Sequence, residues 1–356
     1  MNGSTAAGTQ PGADTVAAVP EARREGLASV LAALRGAARI VLTTHVNADG
    51  DGAGSEAAVD AWLRGLGKEV AIANGTPFPE LFRHLLLEGA EVPEPGGARF
   101  AEVCKEADLL LVLDTGEPSR IGRVAGAAAG VPVAVIDHHL PSAAGFEGTV
   151  FQDATACATG ELIHDLLVVA EVPTPWAAPI PAALYTAILT DTGSFRFSNT
   201  SPRAHAVAGD LLEQGVDPEA VYRRVYATVP LRRVHLLRHA LGNLEVDATL
   251  PITWISIERG VMEGLGAGSD DLEGIVEHAR SVEGTEVALL FRPTQGDGTK
   301  VSLRSSGAVD VNAVAREFGG GGHRKASGAL MGAPLEEARA RVLDAVRRAV
   351  RAGEGA

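Results

Sequence analysis

The apolar positions of this chain fall into two patterns. Continuous runs at 39–44, 109–113 and 131–136 are too short for helices and are separated by helical or loop stretches. Such runs predict strands of a parallel sheet buried on both faces. Between and after them, apolar residues at three- and four-residue spacing predict helices over 21–35, 159–169 and 181–189, and a helix carrying Ala57, Ala58, Trp62, Leu63 and Leu66. Each run ends in polar residues: HVNADGDGAGS after the first, Asp114-Thr115-Gly116 after the second, Asp137-His138-His139 after the third. Open α/β sheets bind ligands at the carboxyl edge of their strands, so the three ends mark one candidate site.

From 201 to 244 the pattern is helical. Ser201-Pro202 reads as a cap and first-turn proline, Gly215 as the residue past the end, and Asp217-Pro218 as the next start. Beyond it, 251–258 alternates like a half-buried strand, and 285–292 and 300–305 flank Gly296-Asp297-Gly298 as a hairpin. A helix over 310–318, a glycine run at 319–322 and an amphipathic helix over 334–351 complete the chain. The expected architecture is α/β: a disordered tail (1–20), a parallel-sheet domain (21–200), a helical linker (201–244) and a smaller α+β domain (245–356). A length of 356 residues accommodates two cores.

Charge narrows the function. The formal net charge is −14 and aromatic residues are 4% of the chain, so neither a basic stripe nor stacking platforms for long nucleic acid are present. A small anionic substrate held through cations fits this balance better. Cys104 and Cys157 have no metal-ligand spacing and read as buried thiols. No apolar run approaches the roughly 18 residues of a membrane span. The first residues lack the pattern of a signal peptide, so a cytoplasmic location is expected.

His45, Asp49 and Asp51 can direct one imidazole and two carboxylates at neighbouring cations. Mixed oxygen and nitrogen donors suit Mn²⁺, with Mg²⁺, Fe²⁺ or Co²⁺ as alternatives. Gly50, Gly52 and Gly54 are expected to let backbone approach a phosphate. Asp114 and Asp191, taken singly, are compatible with turn residues. Asp137, His138 and His139 form a natural metal or acid–base cluster. Jointly these residues would suit two ions about 3.5–4 Å apart that activate water against a phosphoryl group.

The segments THVNADGDGAGS (44–55), LDTG (113–116), IDHH (136–139) and TDTGSF (190–195) resemble the ordered motifs of the DHH phosphoesterase superfamily. Arg304-Ser305-Ser306 and GGGGHRKASG (319–328) resemble the DHH-associated C-terminal domain, and the combination is similar to the bifunctional oligoribonuclease/PAP phosphatase branch. Relatives cleaving cyclic di-AMP or linear pApA lie in the same group. The resemblance implies His45, Asp49 and Asp114 on one Mn²⁺, and Asp51, Asp114, His138 and Asp191 on the other. It implies that Asp137 orients a histidine and that His139 contacts the scissile phosphate or leaving group. It places substrate on Arg304, Ser305, Gly320, Gly321, Gly322 and His323, and suggests a homodimer. Arg196 reads as structural, with a substrate contact as the weaker alternative. Ala48 replaces the family's commoner proline and removes no ligand. Inorganic pyrophosphatase, a processive single-strand exonuclease and a non-catalytic nucleotide sensor are the weaker readings.

Overall fold

The computed structural model describes residues 18–141, 144–294 and 296–353; the tail read over 1–20 lies outside these residues except for its last three. The chain divides into two compact units between Ala227 and Thr228.

The first unit runs α1 (Glu21–Gly36), β1 (Arg39–Thr43), α2 (Gly50–Gly65), β2 (Glu69–Ile72), α3 (Ala98–Glu106), β3 (Leu109–Leu113), α4 (Val124–Ala127), β4 (Val133–Asp137) and β5 (Thr149–Gln152). Four helices follow: α5 (Thr159–Val169), α6 (Ile180–Asp191), α7 (Pro202–Glu213) and α8 (Pro218–Tyr226). The five strands form one sheet in the order β2-β1-β3-β4-β5, every pair parallel. Alternate residues serve different cores. Ile40, Leu42, Leu111, Leu113 and Ile136 pack with residues of α1, α2, α5 and α6. Val41, Leu110, Val112 and Val135 pack with Phe100, Val103 and Cys104 of α3. Burial on both faces is why these strands read as unbroken apolar runs. At about 1.5–3 kcal/mol for each fully buried Leu, Ile or Val, it offsets a backbone ordering cost of about 1–2 kcal/mol per residue. Strands β2 and β5 escape sequence reading because each is four residues long and opens on partly or fully exposed positions.

From β1 the chain reaches β2 on one side and β3 on the other. The carboxyl ends of β1 and β3 therefore flank the switch point of the sheet, where crossovers leave a crevice.

The second unit runs α9 (Leu231–Gly242), β6 (Leu244–Val246), β7 (Ile252–Ser256), α10 (Arg259–Leu265), α11 (Ile275–Arg280), β8 (Val287–Pro293) and β9 (Thr299–Ser305). It ends with α12 (Val311–Glu317), β10 (Gly321–His323), β11 (Ala326–Met331) and α13 (Leu335–Gly353). Its sheet has the order β10-β11-β9-β8-β7-β6, antiparallel except for the parallel pair β7–β8. The alternation at 251–258 does not mark a half-buried strand: every residue of β7 is buried. Trp254 joins a core with α12 and α13, and Ile255 joins another with α9 and α11, so both faces are covered. The stretch read as a linker, 201–244, is helical and contains the division: α7 and α8 belong to the first unit and α9 to the second.

Candidate metal centre

The site is built at the carboxyl ends of β1, β3 and β4 and the start of α2. Asp49 caps α2, accepting hydrogen bonds from the backbone N–H groups of Asp51 and Gly52 at 3.0 and 3.2 Å. That cap places Asp49 and Asp51 side by side, one outside the helix and one in its first turn. The three glycines do not form an open phosphate loop. Gly50, Gly52 and Gly54 lie inside α2, where a Cβ would meet Thr190 at 2.4 Å, Thr44 at 2.5 Å and the Ala183 carbonyl at 2.5 Å. They are small so that α2 can press against α6 and the end of β1.

Asp114 follows β3 with φ of 61°, a left-handed conformation that non-glycine residues seldom adopt and that concentrates at functional sites. The turn aims its two oxygens in different directions. Oδ2 lies 3.3 Å from His45 Nε2, and Oδ1 lies 3.5 Å from His138 Nε2. His45 Nε2 is also 3.6 Å from Asp49 Oδ2, whereas His138 Nε2 is 3.7 Å from both Asp51 Oδ2 and Asp191 Oδ2. Two ligand groups, His45–Asp49–Asp114 and Asp51–His138–Asp191, thus meet on the two faces of Asp114; a third grouping joins Asp114, His138 and His139.

The hydrogen bonding prepares both imidazoles. His45 Nδ1 points at the Val46 carbonyl at 3.0 Å and His138 Nδ1 at the Ala156 carbonyl at 3.4 Å, so each Nδ1 donates. Each Nε2 then faces the carboxylates, the side on which a metal would bind. Asp137 accepts from Gln152 Nε2 at 2.7 Å and pairs with His139 Nδ1 at 2.7 Å. His139 is thus held through Nδ1, on a half-exposed ring whose Nε2 takes no hydrogen bond among the described residues.

Electrostatics call for positive charge. Burial, then repulsion from Asp114, Asp191 and Asp49, pushes the Asp51 carboxyl well above the usual range. Burial likewise raises Asp191 to about 6, against the opposing pull of His138. Burial would lower His45, but hydrogen bonds to Asp114 and Asp49 carry it up to about 10. Several carboxylates this close together cannot all ionise without positive charge beside them. The donor set, its spacing and the shared carboxylate fit a pair of divalent cations.

All six expected ligands and the expected pair Asp137 and His139 meet in this one place in the first unit. Arg304, Ser305, Gly320, Gly321, Gly322 and His323 lie in the second unit. Arg304 on β9 reaches Glu277 at 3.2 Å, and the Ser305 residue is buried. The end of the glycine run is an edge strand: Gly321 and Gly322 lie in β10, which pairs with β11, and a Cβ on Gly320 just before it would sit 2.2 Å from the Gly328 carbonyl. Arg196 donates to the Gly193 carbonyl at 2.7 Å, which agrees with a structural part.

Sequence reasoning missed the residues that hold the ligands. Thr159 donates from its backbone N–H to Asp51 at 2.6 Å and from Oγ1 to Asp114 at 3.1 Å. Gly160 N–H donates to Asp51 at 2.9 Å, and Asn199 Nδ2 donates to Asp191 Oδ2 at 3.1 Å. Their only signal in the sequence is the entry to a helix, which carries no information about what it faces.

Residues 39–190 match the DHH family, N-terminal domain, and residues 257–352 match the DHHA1 domain. The chain is 36% identical to the bifunctional oligoribonuclease and PAP phosphatase NrnA of Thermus thermophilus, over 90% of this chain and 92% of that one. It is 28% identical to the protein of the same name from Bacillus subtilis, over 82% and 88%. The fold is similar to the crystal structure of an exopolyphosphatase-related protein from Bacteroides fragilis, with a TM-score of 0.82 at 25% identity, covering 92% and 96%. The chain therefore belongs to the DHH family, as a phosphoesterase with a C-terminal DHHA1 domain.

Proposed function

We propose that this protein hydrolyses short oligoribonucleotides and adenosine 3',5'-bisphosphate to mononucleotides. One observation carries the reading: the two ligand groups converge on the two oxygens of Asp114. His45, Asp49 and Asp114 would hold one Mn²⁺, and Asp51, Asp114, His138 and Asp191 the other, with Mg²⁺, Co²⁺ or Fe²⁺ able to replace it. Bound there, two such cations supply an activated water and neutralise charge on the phosphoryl group.

The chain's own residues divide the remaining work. Asp114 shares its carboxylate between the two groups, and the α2 cap sets the spacing of Asp49 from Asp51. His139 is held through Nδ1 by Asp137, and this hydrogen bond raises its pKa above the ordinary histidine value. An imidazolium with a free Nε2 suits donation to a phosphate oxygen or a leaving group. Arg304, Ser305, the 320–322 glycines and His323 would bind the nucleotide, since a planar guanidinium matches phosphate and glycine lets a ligand approach the backbone closely. The net charge of −14 favours short substrates, because a long backbone would meet repulsion that a few cations cannot offset.

The test is Mn²⁺-dependent turnover compared across adenosine 3',5'-bisphosphate, oligoribonucleotides of two to five residues, linear pApA and cyclic di-AMP. The first two should be cleaved fastest. Asp114→Ala should lose more than the roughly 100-fold that follows loss of a hydrogen bond to a ligand, with its circular dichroism unchanged. Preference for cyclic di-AMP would move the protein to the dinucleotide branch. Loaded protein that cleaves none of the four would overturn the proposal.

A further inference from the structure

The four residues assigned to the second cation share one support. Asp51 accepts from the backbone N–H groups of Thr159 and Gly160, and the Asp114 oxygen that faces His138 accepts from Thr159 Oγ1. His138 Nδ1 donates to the Ala156 carbonyl. Asn199 Nδ2 donates both to Asp191 Oδ2 and to the Cys157 carbonyl, at 3.1 and 2.9 Å. The turn 156–160 that opens α5 thus touches every member of this group, directly or through Asn199. Of the His45–Asp49–Asp114 group it reaches Asp114 alone, on the oxygen turned away from His45.

What holds the turn is buried charge. Glu161 accepts from Cys157 N–H at 2.9 Å with one oxygen and from Arg23 at 2.6 Å and Arg203 at 3.1 Å with the other. Arg23 of α1, itself 3% exposed, also pairs with Asp165 at 2.8 Å and with Asp153 at 2.7 Å. Arg203 of α7 pairs with Asp165 as well. Two arginines from different helices therefore clamp consecutive turns of α5, and Glu161 ties that clamp to the backbone at Cys157.

We infer that Thr159, Asn199, Glu161 and Arg23 are positioning residues that tune one cation site and leave the other nearly untouched. The inference rests on the two-cation reading. Its mechanism is orientation: hydrogen bonds to a ligand fix its direction, and their loss typically costs about 10–100-fold in metal affinity. Thr159 and Asn199 act directly on ligands, whereas Arg23 and Glu161 act through the turn.

Calorimetric titration of the full-length protein with Mn²⁺ alone tests this. Wild type should show two binding events. Thr159→Val and Asn199→Ala should each weaken one event by about tenfold or more and leave the other within about twofold, the same event in both variants. Thr159→Ser should restore it. Asp49→Asn should weaken the opposite event. Arg23→Met should act on the same event as Thr159→Val; since it leaves buried carboxylates unpaired and can unfold the protein, Thr159→Val and Asn199→Ala are the deciding variants. Variants that weaken both events equally, or neither, would overturn the inference while leaving the two-cation reading standing. Wild type that takes up fewer than two Mn²⁺ would overturn both.

Discussion

Glu56 lies on α2, fully buried, five residues beyond Asp51. It accepts a hydrogen bond from Asn74 Nδ2 at 2.9 Å, and among the described residues its Oε1 has no partner. Asn74 in turn accepts from Thr44 N–H at 3.0 Å, at the entry to His45. Burial raises the Glu56 carboxyl to about 8, against a smaller opposing pull from Asn74. A carboxyl raised in the folded state binds a proton that the unfolded state has lost, so stability falls as pH rises from about 4.5 toward 8, by at most about 1.4 kcal/mol per pH unit. Glu56→Gln removes this dependence. The melting temperature of the metal-free variant, relative to wild type, should rise steadily between pH 5 and pH 8. A constant difference would show that Glu56 ionises like an exposed carboxylate.

Among the elements, the packing of α2 on α6 carries the site, because α2 bears Asp51 and α6 ends at Asp191. At Gly54 the helix comes close to the backbone of α6: an added Cβ would meet the Ala183 carbonyl at 2.5 Å. Gly54→Ala should therefore cost about 1–3 kcal/mol by overpacking, seen as a lower denaturant midpoint. Gly65, at the other end of the same helix, has nothing within 4 Å of such a Cβ. Gly65→Ala should be neutral or stabilising by up to about 1 kcal/mol, since alanine has the better helix propensity. Equal effects at the two glycines would refute the packing argument.

Across the whole molecule, proposed chemistry and proposed substrate binding fall in different compact units. A group that only binds should alter KM and spare kcat. Arg304→Ala should raise KM for adenosine 3',5'-bisphosphate several-fold and leave kcat within about twofold. Steady-state kinetics with Mn²⁺ in excess would check it, and an unchanged KM would remove Arg304 from the substrate site. Among the described residues, no helix is long and apolar enough to cross a membrane.

The elements that bury long apolar runs, and the chemistry gathered at their ends, are written locally in the chain. Strands β1, β3 and β4, with HVNADGD, LDTG and IDHH behind them, were legible because burial on both faces leaves an unbroken apolar signal. Where the weaker signals went depended on long-range packing. Strands β2 and β5 are too short to announce themselves, and β7 alternates in sequence yet is covered by helices on both faces. The glycines after Asp49 became contacts of α2 with α6 and the end of β1, and the last two before His323 became part of an edge strand, because a missing Cβ permits either use and neighbours choose between them. Asp114 looked like any turn aspartate until its left-handed backbone set one oxygen toward His45 and the other toward His138. The turn beneath it was invisible for the same reason. Backbone N–H groups look alike in every sequence, and the packing of α5 among α1, α2, α6 and α7 aims those of Thr159 and Gly160 at Asp51.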